Sequence, residues 1–157
     1  MMVSFLSRAV LLCLPALGGA SNAEGEKYLA ENKGKAGVIE LASGLQYKVL
    51  REGTGKEHPK VSTRCKCHYS GALIDGSKFD SSYDRGTPTS FAPAQVIKGW
   101  TEAMQLMVEG DLWELYIPSD LAYGDRGRPP KIPGGSVLVF QIEIIEINGE
   151  TVPKTEL

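Results

Sequence analysis

The sequence predicts an α+β domain in which one short helix covers a face of an antiparallel sheet. Short apolar stretches with strand character recur at Leu45–Leu50, Val61–Tyr69, Leu112–Ile117 and Val137–Ile147. Only one stretch in this region, Gln95–Met107, changes to a helical period, and turn signals separate the segments. Several strands with one helix between them build a two-layer domain rather than a bundle or a parallel sheet.

The chain opens with Arg8, then the apolar run Ala9–Leu17 and the small residues Gly18-Gly19-Ala20-Ser21-Asn22-Ala23, the layout of a signal peptide. The run is too short to span a bilayer, which takes about 20 residues, and Pro15 interrupts it. Cleavage after Ala20 or after Ala23 satisfies the small-residue rule; Ala23 is preferred because Ser21 and Ala23 then fill both small positions. The expected division is 1–23 signal peptide, 24–42 helical extension and linker, 43–150 the domain carrying the site, and 151–157 a tail.

Residues Glu24 to Lys33 permit a helix that Gly34 stops. Val38-Ile39-Glu40-Leu41 follows, and then Leu45, Tyr47 and Val49 alternate with Gln46 and Lys48 as a half-buried strand requires. Val61 to Tyr69 is read as a strand ended by Ser70-Gly71, and Leu73 to Phe79 straddles Asp75-Gly76, a tight hairpin turn. In Gln95–Met107, Val96, Trp100, Met104 and Met107 form one apolar stripe at helical spacing. Leu112–Ile117 ends at Pro118, and Val137–Ile147 is a long β-branched strand.

Composition narrows the chemistry. The formal charge is −2 and Lys and Arg do not cluster, which argues against a nucleic-acid partner. Cys65 and Cys67 lie two apart on one strand face, near or beyond the Cα separation of roughly 7 Å at which bridging fails, so a disulfide is disfavoured and they are read as buried free thiols. Gly53-Thr54-Gly55-Lys56 lacks the glycine and hydroxyl residue of a phosphate loop, having Leu50 and Glu57 at those places. His58 and His68 are too few and too isolated for a zinc site, and Asp80 with Glu102 has nothing to set two acids on facing walls. Neither a metal nor a cofactor is expected. Trp100, Phe79, Tyr69, Tyr123 and Phe140 are enough aromatic mass for a concave apolar site, and composition alone leaves a plain core equally open.

Five segments resemble the FK506-binding (FKBP) type of peptidyl-prolyl cis-trans isomerase. They are Phe79-Asp80-Ser81-Ser82, Gln95 to Trp100 (QVIKGW), Ile117-Pro118, Ala122-Tyr123-Gly124, and Ile132 to Phe140 (IPGGSVLVF), in order and at compatible spacing. The resemblance covers about Ser43 to Asn148, and Tyr28-Leu29-Ala30-Glu31-Asn32-Lys33 through Tyr47 resembles the linker of macrophage-infectivity-potentiator-like members.

That resemblance implies a twisted antiparallel half-barrel wrapped around the short helix, with a substrate proline between them. It implies Trp100 as pocket floor, and Tyr69, Phe79, Val96, Ile97 and Phe140 as walls, with Ile132 in the flap. Tyr123 would offer its hydroxyl to the substrate carbonyl; Asp80 would sit at the rim in a polar network with Arg85 and the Tyr69 hydroxyl. The catalytic set so implied is Asp80, Tyr123, Trp100 and Phe79, and the partners are proline-containing polypeptides and macrolides of the FK506 or rapamycin kind. Thr89 stands where many members have a pocket aromatic, the loop at Ala92-Pro93-Ala94 is shortened, and Lys131 replaces a common apolar residue. These departures lie at the rim, over which macrolide contacts extend, so the resemblance carries the isomerase further than it carries the macrolide.

A proline-binding chaperone and a secreted effector would use the same pocket. The end Lys154-Thr155-Glu156-Leu157 is one residue from a lumenal retrieval signal and, with the leader, points to the endoplasmic reticulum, with full secretion as the alternative. The N-terminal helix is too short to argue for a dimer, and a monomer is expected.

Overall fold

The computed structural model describes residues 21–154; the rest of the segment read as a signal peptide (1–20) and the last three residues of the tail (155–157) lie outside the described residues. Helix α1, Ala23–Asn32, forms because Asn22 accepts a hydrogen bond from the Gly25 amide and Glu24 and Glu26 place negative charge on its first turn. It docks on its own domain: Asn32 Nδ2 donates to Gln46 Oε1 at 2.9 Å, Gln46 Nε2 donates to the Leu29 carbonyl, and the rings of Tyr28 and Tyr116 approach to 6.3 Å.

The strands are β1 (Val38–Glu40), β2 (Gln46–Arg51), β3 (Glu57–Pro59), β4 (Arg64–Leu73), β5 (Lys78–Ser81), β6 (Thr89–Phe91), β7 (Leu112–Ile117), β8 (Leu138–Asn148) and β9 (Thr151–Pro153). One antiparallel sheet runs β1-β2-β7-β8-β4-β5 with β6 added to β4; β3 and β9 make a separate pair. This sheet curls as an open half-barrel around α3 (Lys98–Met104), and α2 (Ser82–Arg85) is a single turn between β5 and β6. Alternation sets the core. Along β4 the buried residues Cys65, Cys67, Tyr69 and Gly71 face α3, while Arg64 and Lys66 face water. Leu115, Ile117, Leu138, Ile142 and Ile144 close over Ala103, Met104 and Met107, all of them fully buried.

Several expectations move. The strand expected over Val61–Tyr69 starts at Arg64 and continues through Ser70-Gly71 to Leu73, because β8 pairs with it along its full length. The helix expected over Gln95–Met107 is shorter: a 3-10 turn at Pro93–Gln95 precedes α3, and the chain between is extended at Val96 and Ile97. Strands β3, β6 and β9 have no alternation long enough to read and exist through their partners. Cys65 and Cys67 are free, buried and on one face, as expected. His58 is buried with Nδ1 at 3.0 Å from the Met107 carbonyl.

Candidate active site

A bulge creates the site. Opposite β4, Gly71 pairs with Asp80 and Ala72 with Lys78, so Phe79 is an extra residue on β5. Regular alternation would send Phe79 and Asp80 to opposite faces; the bulge lets both line one cleft. Across β4, Gly71 is registered with Phe140 of β8, and a Cβ at Gly71 would stand 2.4 Å from the Phe140 ring and 2.8 Å from Phe79. Only glycine leaves room for the two rings to meet over the strand.

The cleft, about 750 Å³, has Trp100 of α3 at its base, only 4% exposed. Tyr69 and Phe140 stand edge-on to it at ring distances of 5.2 and 4.9 Å, Phe79 stands edge-on to Phe140 at 5.4 Å, and Phe91 approaches Trp100 at 5.2 Å. Edge-to-face contacts of this kind fix ring planes, so the walls are set before any ligand arrives. The 3-10 turn is tied to α3 by the Thr101 hydroxyl donating to the Pro93 carbonyl at 2.6 Å, which holds Val96 and Ile97 at the mouth.

One rim carries Tyr69, Asp80 and Arg85. The Tyr69 hydroxyl donates to Asp80 Oδ2 at 2.6 Å and accepts from Arg85 Nη2 at 2.9 Å, and Arg85 Nη1 also donates to Asp80 Oδ1. Burial alone would push the Asp80 carboxyl up, but the hydrogen bonds from Tyr69 and Arg85, with the guanidinium charge, hold it below the ordinary carboxylate range. Burial, then the bond to Asp80, raises the Tyr69 phenol, which keeps its proton. Local structure aims these groups: Ser81 caps α2 by accepting from the Asp84 amide, and the buried Ser82 hydroxyl accepts from the Tyr69 amide at 2.7 Å.

The opposite rim is basic. Arg128 Nη1 donates to the Tyr123 hydroxyl at 3.3 Å while its guanidinium lies 5.7 Å from that ring, and Lys131 Nζ reaches the Phe79 carbonyl at 3.4 Å. Among the described residues no His, Cys, Asp and Glu group of metal-binding size occurs.

Tyr69, Phe79, Asp80, Val96, Ile97, Trp100, Tyr123, Ile132 and Phe140 therefore line one cleft. Arg85 does not: it is not on the cleft wall and acts on Tyr69 and Asp80 from behind. The sequence reading missed Phe91, Gln95 and the Pro129-Pro130 edge of the flap. Thr89 brings no ring to the cleft; Phe91, two residues on and therefore on the same face of β6, brings one against Trp100.

An antiparallel half-barrel curled around a short helix, with an aromatic cleft between them, is the architecture of the FKBP class. Residues 55–145 match the family described as FKBP-type peptidyl-prolyl cis-trans isomerase, and 16–49 match the domain amino terminal to it. The chain belongs to the FKBP-type peptidyl-prolyl cis-trans isomerase family. It is 51% identical over 128 residues to the FKBP-type 22 kDa peptidyl-prolyl cis-trans isomerase of Escherichia coli, covering 82% of this chain and 62% of that one. It is 47% identical over 123 residues to the macrophage infectivity potentiator of Trypanosoma cruzi, covering 78% and 63%. Among solved structures, a peptidyl-prolyl cis-trans isomerase of Pseudomonas syringae superposes with a TM-score of 0.75 at 40% identity, covering 80% of this chain and 92% of that one. The chain thus spans about three fifths of the length of these two curated relatives.

Proposed function

We propose that this chain is a peptidyl-prolyl cis-trans isomerase that accelerates rotation about X-Pro bonds by holding proline in the Trp100 cleft. The observation that carries this reading is the convergence of five rings, Tyr69, Phe79, Phe91, Trp100 and Phe140, on one cleft whose only charged walls are at its rims. Rotation about a peptide bond meets a barrier of about 18–20 kcal/mol because amide resonance is lost, and unaided X-Pro bonds isomerise in tens to hundreds of seconds. No covalent bond has to break. The planar amide is more charge-separated than the twisted one, so stripping water from the carbonyl favours the twisted state over the ground state. The Tyr123 hydroxyl, accepting from Arg128, keeps its own proton free to donate to the substrate carbonyl. Tyr69 and Asp80 fix the other wall.

The clients are proline-containing segments of exported proteins, met in the secretory pathway after the leader directs the chain there. The reading takes the chain as a monomer, and the packing of α1 on Gln46 and Tyr116 of its own domain supports it. Relaxation of a Leu-Pro or Phe-Pro tetrapeptide, with a Tyr123→Phe, Asp80→Val double variant alongside, tests the reading. Fast wild-type relaxation and a slowed, folded variant support it. A folded wild type without any acceleration makes the chain a proline-binding module instead.

A further inference from the structure

Residues Ser21 and Asn22, which the preferred cleavage after Ala23 would discard, are built into the fold. Ser21 is 7% exposed and its hydroxyl accepts from the Ser119 amide at 3.0 Å. The Asn22 amide donates to the Gly135 carbonyl at 2.8 Å, and its side chain caps α1. The approach is close, and a glycine stands on each side of it. A Cβ at Gly135 would lie 3.1 Å from the Asn22 nitrogen, and one at Gly25 would lie 2.7 Å from Val137 Cγ2. Ser21 N itself lies 3.1 Å from Glu26 Oε1.

We infer that the leader is removed between Ala20 and Ser21, so that the mature chain begins at Ser21 with its new α-ammonium paired to Glu26. Water adds across the Ala20–Ser21 amide under a signal peptidase; Ala20 leaves as a carboxylate and Ser21 keeps the nitrogen as the ammonium. Gly18 and Ala20 supply the two small positions such an enzyme reads. The charges agree with this cut and not with the later one. An ammonium at Ser21 precedes the cap and meets a carboxylate. At Glu24 it would sit inside the first turn of α1, where the helix dipole disfavours positive charge, and the Asn22 cap would be gone.

The same two residues brace the site. Ser21 holds Ser119, whose carbonyl accepts from the Gly124 amide at 2.7 Å; Gly124 in turn accepts from Gly135, which Asn22 holds. Tyr123 lies inside this ring of backbone bonds, so a mature chain beginning at Ser21 is braced at its catalytic loop.

The inference rests on the export reading above, and the test separates the two. The full chain with its own leader is expressed in a secretory host, and the recovered protein is examined by N-terminal sequencing and intact mass. A start at Ser21 is expected. A start at Glu24, or at any other position within the exported chain, overturns this cut while leaving export standing; a start at Met1 overturns export and the cut with it. Independently, chains released in vitro to begin at Ser21 and at Glu24 are compared. The Glu24 chain is expected to melt lower by about 4 °C or more and to lose several-fold in kcat/KM, and Glu26→Gln is expected to lower the melting temperature of the Ser21 chain alone. Equal melting and equal activity of the two chains would remove the structural ground for the cut.

Discussion

The phenolic hydroxyl of Tyr69 donates to Asp80 Oδ2 at 2.6 Å, joining a central strand to the bulged edge strand at the rim of the cleft. Arg85 completes the link from outside by donating to both. Removing one hydroxyl should therefore disturb the site without emptying it. Tyr69→Phe keeps the ring packed on Trp100 and is expected to lower kcat/KM for a Leu-Pro tetrapeptide about tenfold, the equivalent of one hydrogen bond to a charged group. Asp80→Val should cost more, because Arg85 then faces an apolar side chain. Wild-type rates from either folded variant would show that the rim network has no part in catalysis.

Asp80 also sets the acid limit. Its carboxyl is held below its unfolded value of about 3.9, so folding favours the charged form. That contribution is complete above the unfolded value and is lost as pH falls through the lower native one. The pH profile of kcat/KM is expected to be level between about pH 5 and 8 and to fall only below about pH 4. An inflection near neutrality would point to a group outside this network.

Gly71 is the position where a single methyl should do most damage. Gly71→Ala drives a Cβ into Phe140 and Phe79, and overpacking of this sort costs about 1–3 kcal/mol. Denaturant titration should show that loss together with a marked fall in activity, since the rings that move are cleft walls. Unchanged stability would mean that β4 and β8 separate more readily than their register suggests.

The two thiols should be silent in the native protein. Burial, with the nearby Glu109 charge, pushes the Cys65 thiol up to about 11, and burial pushes Cys67 up as well. Neither should react with a disulfide reagent at about pH 8 until denaturant is added, after which both should. Rapid native labelling would count against the packing of β4 on α3.

Arg128 and Lys131 flank the mouth beside Tyr123 and have no carboxylate partner among the salt bridges of the described residues. Peptides with Glu before proline should gain several-fold over those with Lys, and the gain should shrink as salt is raised, because exposed charges are screened over about 8–10 Å. Arg128→Ala, Lys131→Ala should erase the difference. A charge preference that survives in that variant would place its origin elsewhere.

Much of this protein was legible in one dimension. Helical spacing gave Trp100 its place on α3, alternation put Cys65, Cys67 and Tyr69 on one face, and the segments around Phe79-Asp80, Trp100 and Tyr123 carried the family likeness before any fold was drawn. These are properties of neighbours along the chain, fixed by the period of a helix or a strand. Tertiary structure decided the rest. Phe79 and Asp80 share a cleft only because β5 bulges against β4, and Ser70-Gly71 continues a strand because β8 supplies partners beyond it. Phe91 reaches Trp100 from a three-residue strand too short to show a period, and Arg85 stands behind the wall because Ser81 and Ser82 turn the chain there. Ser21 and Asn22 look like the end of a leader until Ser119 and Gly135, about a hundred residues away, are folded against them. Contacts of that range depend on loop closure and on the partner's shape, which no local pattern encodes.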